Sequence, residues 1–326
     1  MNGPTVTVLI PNWNGRDLLA NLLRQLREQT YPIEETIVVD NGSRDGSPEL
    51  ARAESARVIA FEENKGFAAA VNRGIRESRS ELIAILNNDV TLAPDWLERL
   101  AGEIASMGAW FATGKILNAR NKALIDGGFD VICRGACAWR CGQGRPDGPV
   151  WNLPRTVDIP PFTAAVFRAE LFRRIGGLDE VFESYLEDVE FGLRGAAKGY
   201  TGRYVPGAVA HHVGSATLGA WSPRTVRQIS RNQVLIVSRT YSFQDMIRYG
   251  WAIATAQALW GLVAFRHGAG LAYVMGKIDG LRMFGQVRRR VTGSIAPVLG
   301  PSERLLYELQ RETGFDWYWR LYFALT

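Results

Sequence analysis

Cysteine and histidine are scarce: the 326 residues hold three of each. An odd, sparse cysteine count offers no disulfide framework and fits a reducing compartment. Cys133, Cys137 and Cys141 have C-x₃-C-x₃-C spacing without the second ligand cluster that zinc normally uses. Gly135 and Gly142 interrupt the helical face that spacing would need, so the thiols read as buried or half-buried. Long apolar runs are missing as well. Residues 249–265 are free of charge for 17 positions but include Gln257 and Gly261. A membrane helix needs about 20 apolar residues, so this stretch reads as a buried or interfacial helix. The N-terminus passes into the apolar run 6–10 with no basic segment, long apolar core or cleavage site, and no secretory leader is expected. Repeats and low-complexity tracts are absent.

What is present is an ordinary globular composition, 47% hydrophobic and 22% charged, with a net charge of +5. The charge is uneven. From Ser222 onward there are fourteen Lys/Arg and six Asp/Glu, a surplus of eight, so residues 1–221 carry about −3. A basic C-terminal third suggests a separate task. Its candidate partners are nucleic acid, an anionic membrane surface or a diphosphate-bearing lipid.

The first 90 residues alternate strands with helices. Residues 6–10, 36–39, 58–61 and 82–86 read as strands. Leucines 18, 19, 22, 23 and 26 recur at helical spacing, and 66–75 reads as a second helix. This order predicts an α/β fold with a doubly wound, mainly parallel sheet, whose ligands sit at the carboxyl ends of the strands. Polar clusters fall at those ends: Pro11-Asn12, Asp40-Asn41, Glu63-Asn64 and Asn87-Asn88-Asp89. Residues 108–165 read as irregular strands and loops that extend the sheet. Residues 164–168 and 203–212 read as strands, with helices over 169–175 and 186–198. From Trp221 the pattern is helical, over 222–242, 243–266, 269–290, 302–312 and 315–323.

Each cluster has a plain reading and a chemical one. Asn87-Asn88-Asp89 is either a turn or a carboxylate placed to hold Mg²⁺ or Mn²⁺, hard ions that take oxygen ligands. Asp40-Asn41-Gly42-Ser43 is a turn that can also read a base or ribose. Asn64-Lys65-Gly66-Phe67 is a helix cap, or an anion site at a helix N-terminus. Glu187-Asp188-Val189-Glu190 opens a helix, where acids are favoured by its dipole. Three acids in four residues also repel one another, which can raise a pKa and make Asp188 a general base. His211 and His212 end a strand, and their side chains point to opposite faces, so at most one faces a crevice.

The order of these clusters resembles that of the family 2 glycosyltransferases. Residues 6–15 (VTVLIPNWNG) resemble that family's opening strand and loop, and 38–47 (VVDNGSRDGS) its nucleotide-contact segment. Residues 64–74 (NKGFAAAVNRG) are similar to its next segment. Residues 86–89 (LNND) sit where the family has a DxD-type metal motif, and 182–194 (FESYLEDVEFGLR) resemble its acidic acceptor-side motif. Gly199-Tyr200 and His211 follow in order. The likeness covers about 5–215 and leans toward a rhamnosyltransferase-like branch, whose members often carry an Asn-Asn-Asp triplet and a helical tail.

The resemblance implies a GT-A catalytic domain over 1–221, with a nucleotide-sugar half over about 1–110 and an acceptor half over about 111–221. It implies inverting transfer from a UDP- or dTDP-sugar, dTDP-rhamnose included, onto an acceptor hydroxyl in cell-surface polysaccharide or glycolipid assembly. Asp40 would contact the base and Asn64 lie near it, with Pro11, Asn12, Asn14, Asn41, Ser43, Gly66, Phe67, Asn72 and Asn88 also on the nucleotide side. Asp89 would hold Mg²⁺ or Mn²⁺ through the donor diphosphate, with His211 as a second ligand. Asp188 would be the base, and Glu187, Trp139 and Thr163 would line the acceptor side. Asn87 replaces the usual first acid of the metal motif, so metal binding rests on fewer carboxylates.

Rival readings fit less well. A sugar-1-phosphate nucleotidyltransferase would carry a Gly-rich basic loop after the first strand, where this chain has only Arg16. A non-catalytic binding protein of the same fold would not need Asp89 and Asp188. A nucleic-acid binder would need its bases gathered, yet here they are scattered over apolar helices. The helical region 222–326, with Arg288-Arg289-Arg290 and an aromatic end over 315–323, reads as a bilayer-interface element, or as a helical subdomain packing on the catalytic domain or on a second copy. The membrane alternative implies a polyprenyl-diphosphate-linked glycan acceptor and a place in the cytoplasm, peripheral on the inner face of the plasma membrane.

Overall fold

The structure, a computed structural model, describes residues 3–214, 221–289, 291 and 293–326. Arg290, the last of the three consecutive arginines, lies outside the described residues, as do 215–220 beside the 221/222 junction.

The N-terminal half alternates β1 (Val6–Asn12), α1 (Arg16–Leu26), β2 (Glu35–Asp40), α2 (Ser47–Ala53), β3 (Arg57–Ala60), α3 (Phe67–Glu77), β4 (Leu82–Leu86), β5 (Val90–Leu92) and α4 (Trp96–Met107). A strand-rich stretch follows: β6 (Phe111–Asn118), β7 (Ile125–Gly127), β8 (Asp130–Ile132), β9 (Ala138–Arg140), β10 (Arg155–Val157) and β11 (Ala164–Arg168). Then come α5 (Ala169–Ile175), α6 (Glu187–Ala196) and β12 (Gly202–His212). The rest is helical: α7 (Pro223–Thr240), α8 (Phe243–Arg248), α9 (Gly250–Arg266), α10 (Gly270–Val287), α11 (Ala296–Thr313) and α12 (Trp317–Leu325).

The expected α/β architecture is present, with a mixed, mostly parallel central sheet in the order β10-β12-β6-β11-β4-β1-β2-β3. β3, β2, β1 and β4 run parallel, and β6 runs parallel to β12. β11 is inserted antiparallel between β4 and β6. Alternation along the strands gives the sheet two apolar faces. Leu9, Ile37, Val39, Ile83 and Ile85 face α3, while Val8, Ile10, Val38, Ala84 and Leu86 face the buried stripes of α1 and α4. In-register pairing of β1 with β2 sets Asn12 beside Asp40 at the strands' carboxyl ends.

Two helical expectations change. The segment 243–266 breaks at Tyr249: the Ser242–Asp245 capping box starts α8, and Tyr249 leaves the helical region (φ −104°, ψ 9°), ending α8 before α9 starts at Gly250. Asp245 also binds Ser294 and the Ile295 N–H, and α11 starts at Ala296, earlier than the pattern over 302–312. Among the described residues no helix is long and apolar enough to cross a membrane.

The C-terminal helices pack on the sheet domain around the β8–β9 hairpin. The Ile132 N–H donates to Ser302 Oγ at 2.8 Å, and the Arg134 N–H to Glu303 Oε1 at 3.3 Å. Gln257 donates to Gly135 O at 2.9 Å and Tyr241 to Arg134 O at 3.0 Å. A Cβ at Gly135 would strike Ala256, so only glycine lets this turn sit on α9. All three thiols are free and buried. Burial pushes those of Cys133 and Cys137 up, away from ionisation.

Helix α10 lies against α7 through Ala272, Gly276 and Gly280, spaced four apart on one face. A Cβ at Gly276 would run into Arg227 O on α7. Replacing Gly276 by Val is expected to cost about 1–3 kcal/mol by overpacking. Urea unfolding should show a lower midpoint, while Gly300→Ala, inside α11 where a Cβ meets nothing, should not lower it.

Candidate active site

The strand ends are knitted into one surface by amides and hydroxyls. Asn12, almost fully buried, donates to Asp40 Oδ1 at 3.1 Å and Ser43 Oγ at 3.3 Å. Asn88 donates to Asn12 Oδ1 at 2.7 Å. The Ser43 N–H donates to Asp40 Oδ2 at 2.8 Å, and the Asn14 N–H to Ser43 Oγ at 2.8 Å. Asn14 takes a left-handed φ of 48° that asparagine tolerates. Pro11 precedes this knot opposite Val39. Asn41 bridges to the next loop, donating to Asn64 Oδ1 at 3.0 Å and Gly66 O at 3.1 Å. Phe67 begins α3, half-buried against the core, and its N–H faces Ser184 Oγ at 3.4 Å.

Asn72 departs from this group. Its amide is buried, donating to Leu178 O and Glu180 Oε1 at 2.9 Å each and accepting from the Leu178 N–H at 2.8 Å. It brackets the 178–180 segment and is withdrawn from the nucleotide side. Its place within α3 turns it toward that segment, away from the strand ends.

Asp89 is buried at the end of the β4 loop, with Oδ1 at 3.1 Å from His212 Nε2. His212 Nδ1 lies 2.7 Å from Asp126 Oδ2. Burial favours the neutral imidazole, but hydrogen bonds to Asp126 and Asp89 outweigh it and push His212 up to about 9. The expectation for His211 is thereby corrected. Alternation along β12 turns His212 inward and His211 to the other face, where partial burial and Lys122 hold the His211 imidazole below its usual range. Among the described residues, no group of three or more His, Cys, Asp or Glu stands ready to hold a metal.

Across the crevice lies a second charged group. Arg140 pairs with Asp130 directly opposite it in the β8–β9 ladder, at 3.3 Å. Its other nitrogens reach Thr163 Oγ1 at 3.3 Å and Asp188 Oδ2 at 3.4 Å. Asp188 sits in the first turn of α6, and its own backbone neighbour Val189 donates to Oδ1 at 2.9 Å. Burial, then the charge of Asp130, pushes Asp188 up to about 6, against the lowering pull of Arg140. Glu187 is buried beside it and pushed further above the carboxylate range by burial and by Asp188. Its Oε2 has no hydrogen-bond partner among the described residues. Asp130 is also pushed up by burial.

Trp139 is a second correction. It is buried in the core, edge-on to Trp151 at 6.4 Å. Strand alternation turns its neighbour Arg140 to the crevice instead. Sequence reasoning missed Arg140, Asp130 and Asp126, and chose His211 over its neighbour His212. The available signal was an arginine and two aspartates inside an otherwise buried, apolar stretch.

The loop before α6 is bent by left-handed φ values at Glu183 (60°), Tyr185 (67°) and Leu186 (66°). Such backbone costs of order 1–3 kcal/mol per residue and persists where the surroundings over-determine it. Here Asn232 of α7, fully buried, donates to Phe182 O, Ser184 O and Tyr185 O at 2.7–2.9 Å. Glu183 O accepts from the Ala68 N–H at 2.9 Å, so this loop also caps α3 on the nucleotide side.

Comparison with known proteins agrees with this layout. The family model described as glycosyl transferase family 2 matches residues 7–135, and that described as glycosyl transferase family group 2 matches 82–276. The chain belongs to the family 2 group of glycosyl transferases. It is 30% identical over 255 residues, 73% of its length, to a pre-mycofactocin glycosyltransferase of Mycobacterium tuberculosis, covering 52% of that protein. It is 34% identical over 120 residues, 35% of its length, to the glycosyltransferase AglE of Haloferax volcanii, covering 40% of it. The chain thus spans about half or less of these curated relatives. Among solved structures, GalNAc-T7 with UDP, GalNAc and Mn²⁺ superposes with a TM-score of 0.66 at 16% identity, over 96% of this chain and 58% of that one. A mannosyltransferase from Pyrobaculum calidifontis with GDP-Man and Mn²⁺ superposes at 0.54 and 18% identity, over 99% and 87%. These likenesses establish the GT-A fold.

Arg140→Met would leave Asp130 and Asp188 buried without their cation. Breaking a buried pair this way costs roughly 3–5 kcal/mol when the remaining charge is uncompensated. Both carboxyls already titrate above their ordinary values, so the penalty applies where they are ionised and fades as they take up protons. Urea unfolding should therefore show a large deficit against the parent chain at pH 8 that shrinks as pH falls through about 6.

Proposed function

We propose that the chain moves a sugar from a nucleotide diphosphate sugar to an acceptor hydroxyl, with inversion at the anomeric carbon. The observation that carries this reading is Asp188, a buried carboxylate in the first turn of α6, held by Arg140 and pushed up to about 6. A base with such a pKa is ionised at neutral pH and still basic enough to take a proton. In the proposed step, Asp188 accepts the hydroxyl proton as the acceptor oxygen bonds to the anomeric carbon. The bond from that carbon to the diphosphate oxygen breaks, and the nucleoside diphosphate leaves with the electron pair. Arg140, which also donates to Thr163, holds the Asp188 carboxylate in place, and Glu187, whose buried Oε2 has no partner among the described residues, is placed to hold the acceptor.

The strand-end knot of Asn12, Asp40, Asn41, Ser43 and Asn64 is the proposed nucleotide floor. Asp89 Oδ1 and His212 Nε2, buried 3.1 Å apart, would hold a divalent cation once the ion displaces the His212 proton. Two protein donors leave the remaining positions to diphosphate oxygens and water, as Mg²⁺ and Mn²⁺ commonly bind. Such an ion, when bound, supplies positive charge for the departing diphosphate. The donor follows from the resemblance as a UDP- or dTDP-sugar, and the acceptor as a glycan hydroxyl in cell-surface polysaccharide or glycolipid assembly.

A panel of UDP-, dTDP- and GDP-sugars with Mg²⁺ or Mn²⁺, read as nucleotide release, tests the reading. Asp188→Asn is expected to lower transfer by roughly 10²–10⁴-fold while donor binding persists. Normal transfer by that variant would sink the base assignment. The parent's transfer rate should fall as pH drops below about 6, because protonation of Asp188 removes the base. Asp89→Ala is expected to weaken donor binding in the presence of metal and to have little effect in its absence.

A further inference from the structure

Asp126 is buried, charged and without a part in the proposed transfer step. Its Oδ2 lies 2.7 Å from His212 Nδ1, while His212 Nε2 lies 3.1 Å from Asp89 Oδ1. One imidazole is therefore held at both nitrogens, by carboxylates on opposite sides of the ring.

The backbone explains how Asp126 comes to face that ring. β7 pairs antiparallel with β6, with Ile116 opposite Gly127 but Leu117 opposite Ile125. Asp126 is thus the extra residue of a β-bulge, the device by which a strand re-aims one side chain beside a site. β12 flanks β6 on its other side, with His212 opposite Asn118. The Asp126 carboxylate therefore reaches across β6, over two strand spacings of roughly 5 Å each. The bulged strand is also pinned from behind. A Cβ at Gly127 would stand 2.7 Å from Arg140 Cδ, and one at Gly128 the same distance from Tyr204 Cε2.

A neutral imidazole carries its one proton on either nitrogen. A carboxylate at Nδ1 favours the tautomer with the proton there and stops the ring from turning over. The Nε2 lone pair is then left facing Asp89. Asp126 faces the opposite nitrogen, so it lies out of reach of an ion bound at Nε2 and acts only through the ring. Partners that hold a metal-bound histidine in this way are worth roughly 10–100-fold in metal affinity.

We propose that Asp126 is the positioning residue of the cation site, fixing the orientation and tautomer of His212 so that Nε2 and Asp89 Oδ1 take a divalent ion together. This rests on the transfer reading with its cation, and adds to it a residue that touches neither ion nor substrate.

The test is the Mn²⁺ affinity of the full chain, read from the electron paramagnetic resonance of free Mn²⁺ with UDP, dTDP or GDP present in turn. Asp126→Ala is expected to weaken Mn²⁺ binding by roughly 10–100-fold. Asp126→Asn keeps an oxygen that can accept from the Nδ1 proton, and should lose less. Transfer by Asp126→Ala should need correspondingly more Mn²⁺ to reach half its maximal rate, while the rate at saturating Mn²⁺ stays close to the parent's. In the parent with Mg²⁺ and nucleotide, the nitrogen NMR resonances of the His212 ring should show a proton on Nδ1 and none on Nε2, a readout that needs no variant. A residue that merely braced β7 would lower the unfolding midpoint of the metal-free chain and leave Mn²⁺ affinity as it was. That result, or a ring protonated at Nε2, overturns the proposal. A parent chain that gathers no Mn²⁺ with any of the three nucleotides removes the cation reading and the role of Asp126 with it. Equal, tight Mn²⁺ binding by parent and Asp126→Ala strikes Asp126 alone.

Discussion

One guanidinium balances the acidic side of the crevice. Arg140 stands between Asp130 and Asp188, with Glu187 alongside, and it cannot shed its proton to relieve the burial. Burial and then the charge of Asp130 hold Asp188 near 6, and this single cation pulls the other way without cancelling them. Geometry and acidity are therefore set together. The β8–β9 ladder fixes Arg140 opposite Asp130, and the first turn of α6 fixes Asp188 opposite both.

The ladder does not stand alone. A two-stranded hairpin is marginal in water, and this one is clamped by α9, α11 and the end of α7 through Gln257, Ser302, Glu303 and Tyr241. The bent loop before α6 is likewise held from α7 by Asn232. Both halves of the base arrangement are thus braced by helices that lie far downstream of the hairpin in sequence. The C-terminal region has a structural part in the site that its own sequence, helical and without a catalytic motif, does not announce.

What the sequence reveals follows from the range of the forces involved. Strand-end clusters are local: a buried strand running into Asp40-Asn41 or Asn88-Asp89 needs only its own pattern to be recognised, and the sheet order follows from alternation with helices. The two misplacements are errors of strand parity. His211 stood for His212 and Trp139 for Arg140, in each case one residue from the side chain that faces the crevice. A one-residue shift swaps every side chain between faces, and only the neighbouring strands settle the choice: Val90 and Asn118 beside His212, Asp130 beside Arg140. Asn72 misled for a related reason. It lies inside the motif-like run 64–74, yet its partners, Leu178 and Glu180, are over a hundred residues away.

The same distance argument explains the uneven charge. A surplus of eight bases after Ser222 beside an acidic body reads as two surfaces with two tasks. Part of it is instead internal. Arg231 pairs with Glu183, and Arg239 and Arg289 converge on the buried Asp179, which joins the C-terminal helices to the segment leading into α6. Pairs of this kind gain little from Coulomb attraction alone, but they are costly to break once buried, so they fix register more than they add stability. Arg224, exposed on α7 and without an ion-pair partner among the described residues, belongs to the remainder. Part of the tail's basic character thus meets acids of the body across one packed interface, beside the loop that leads into Asp188.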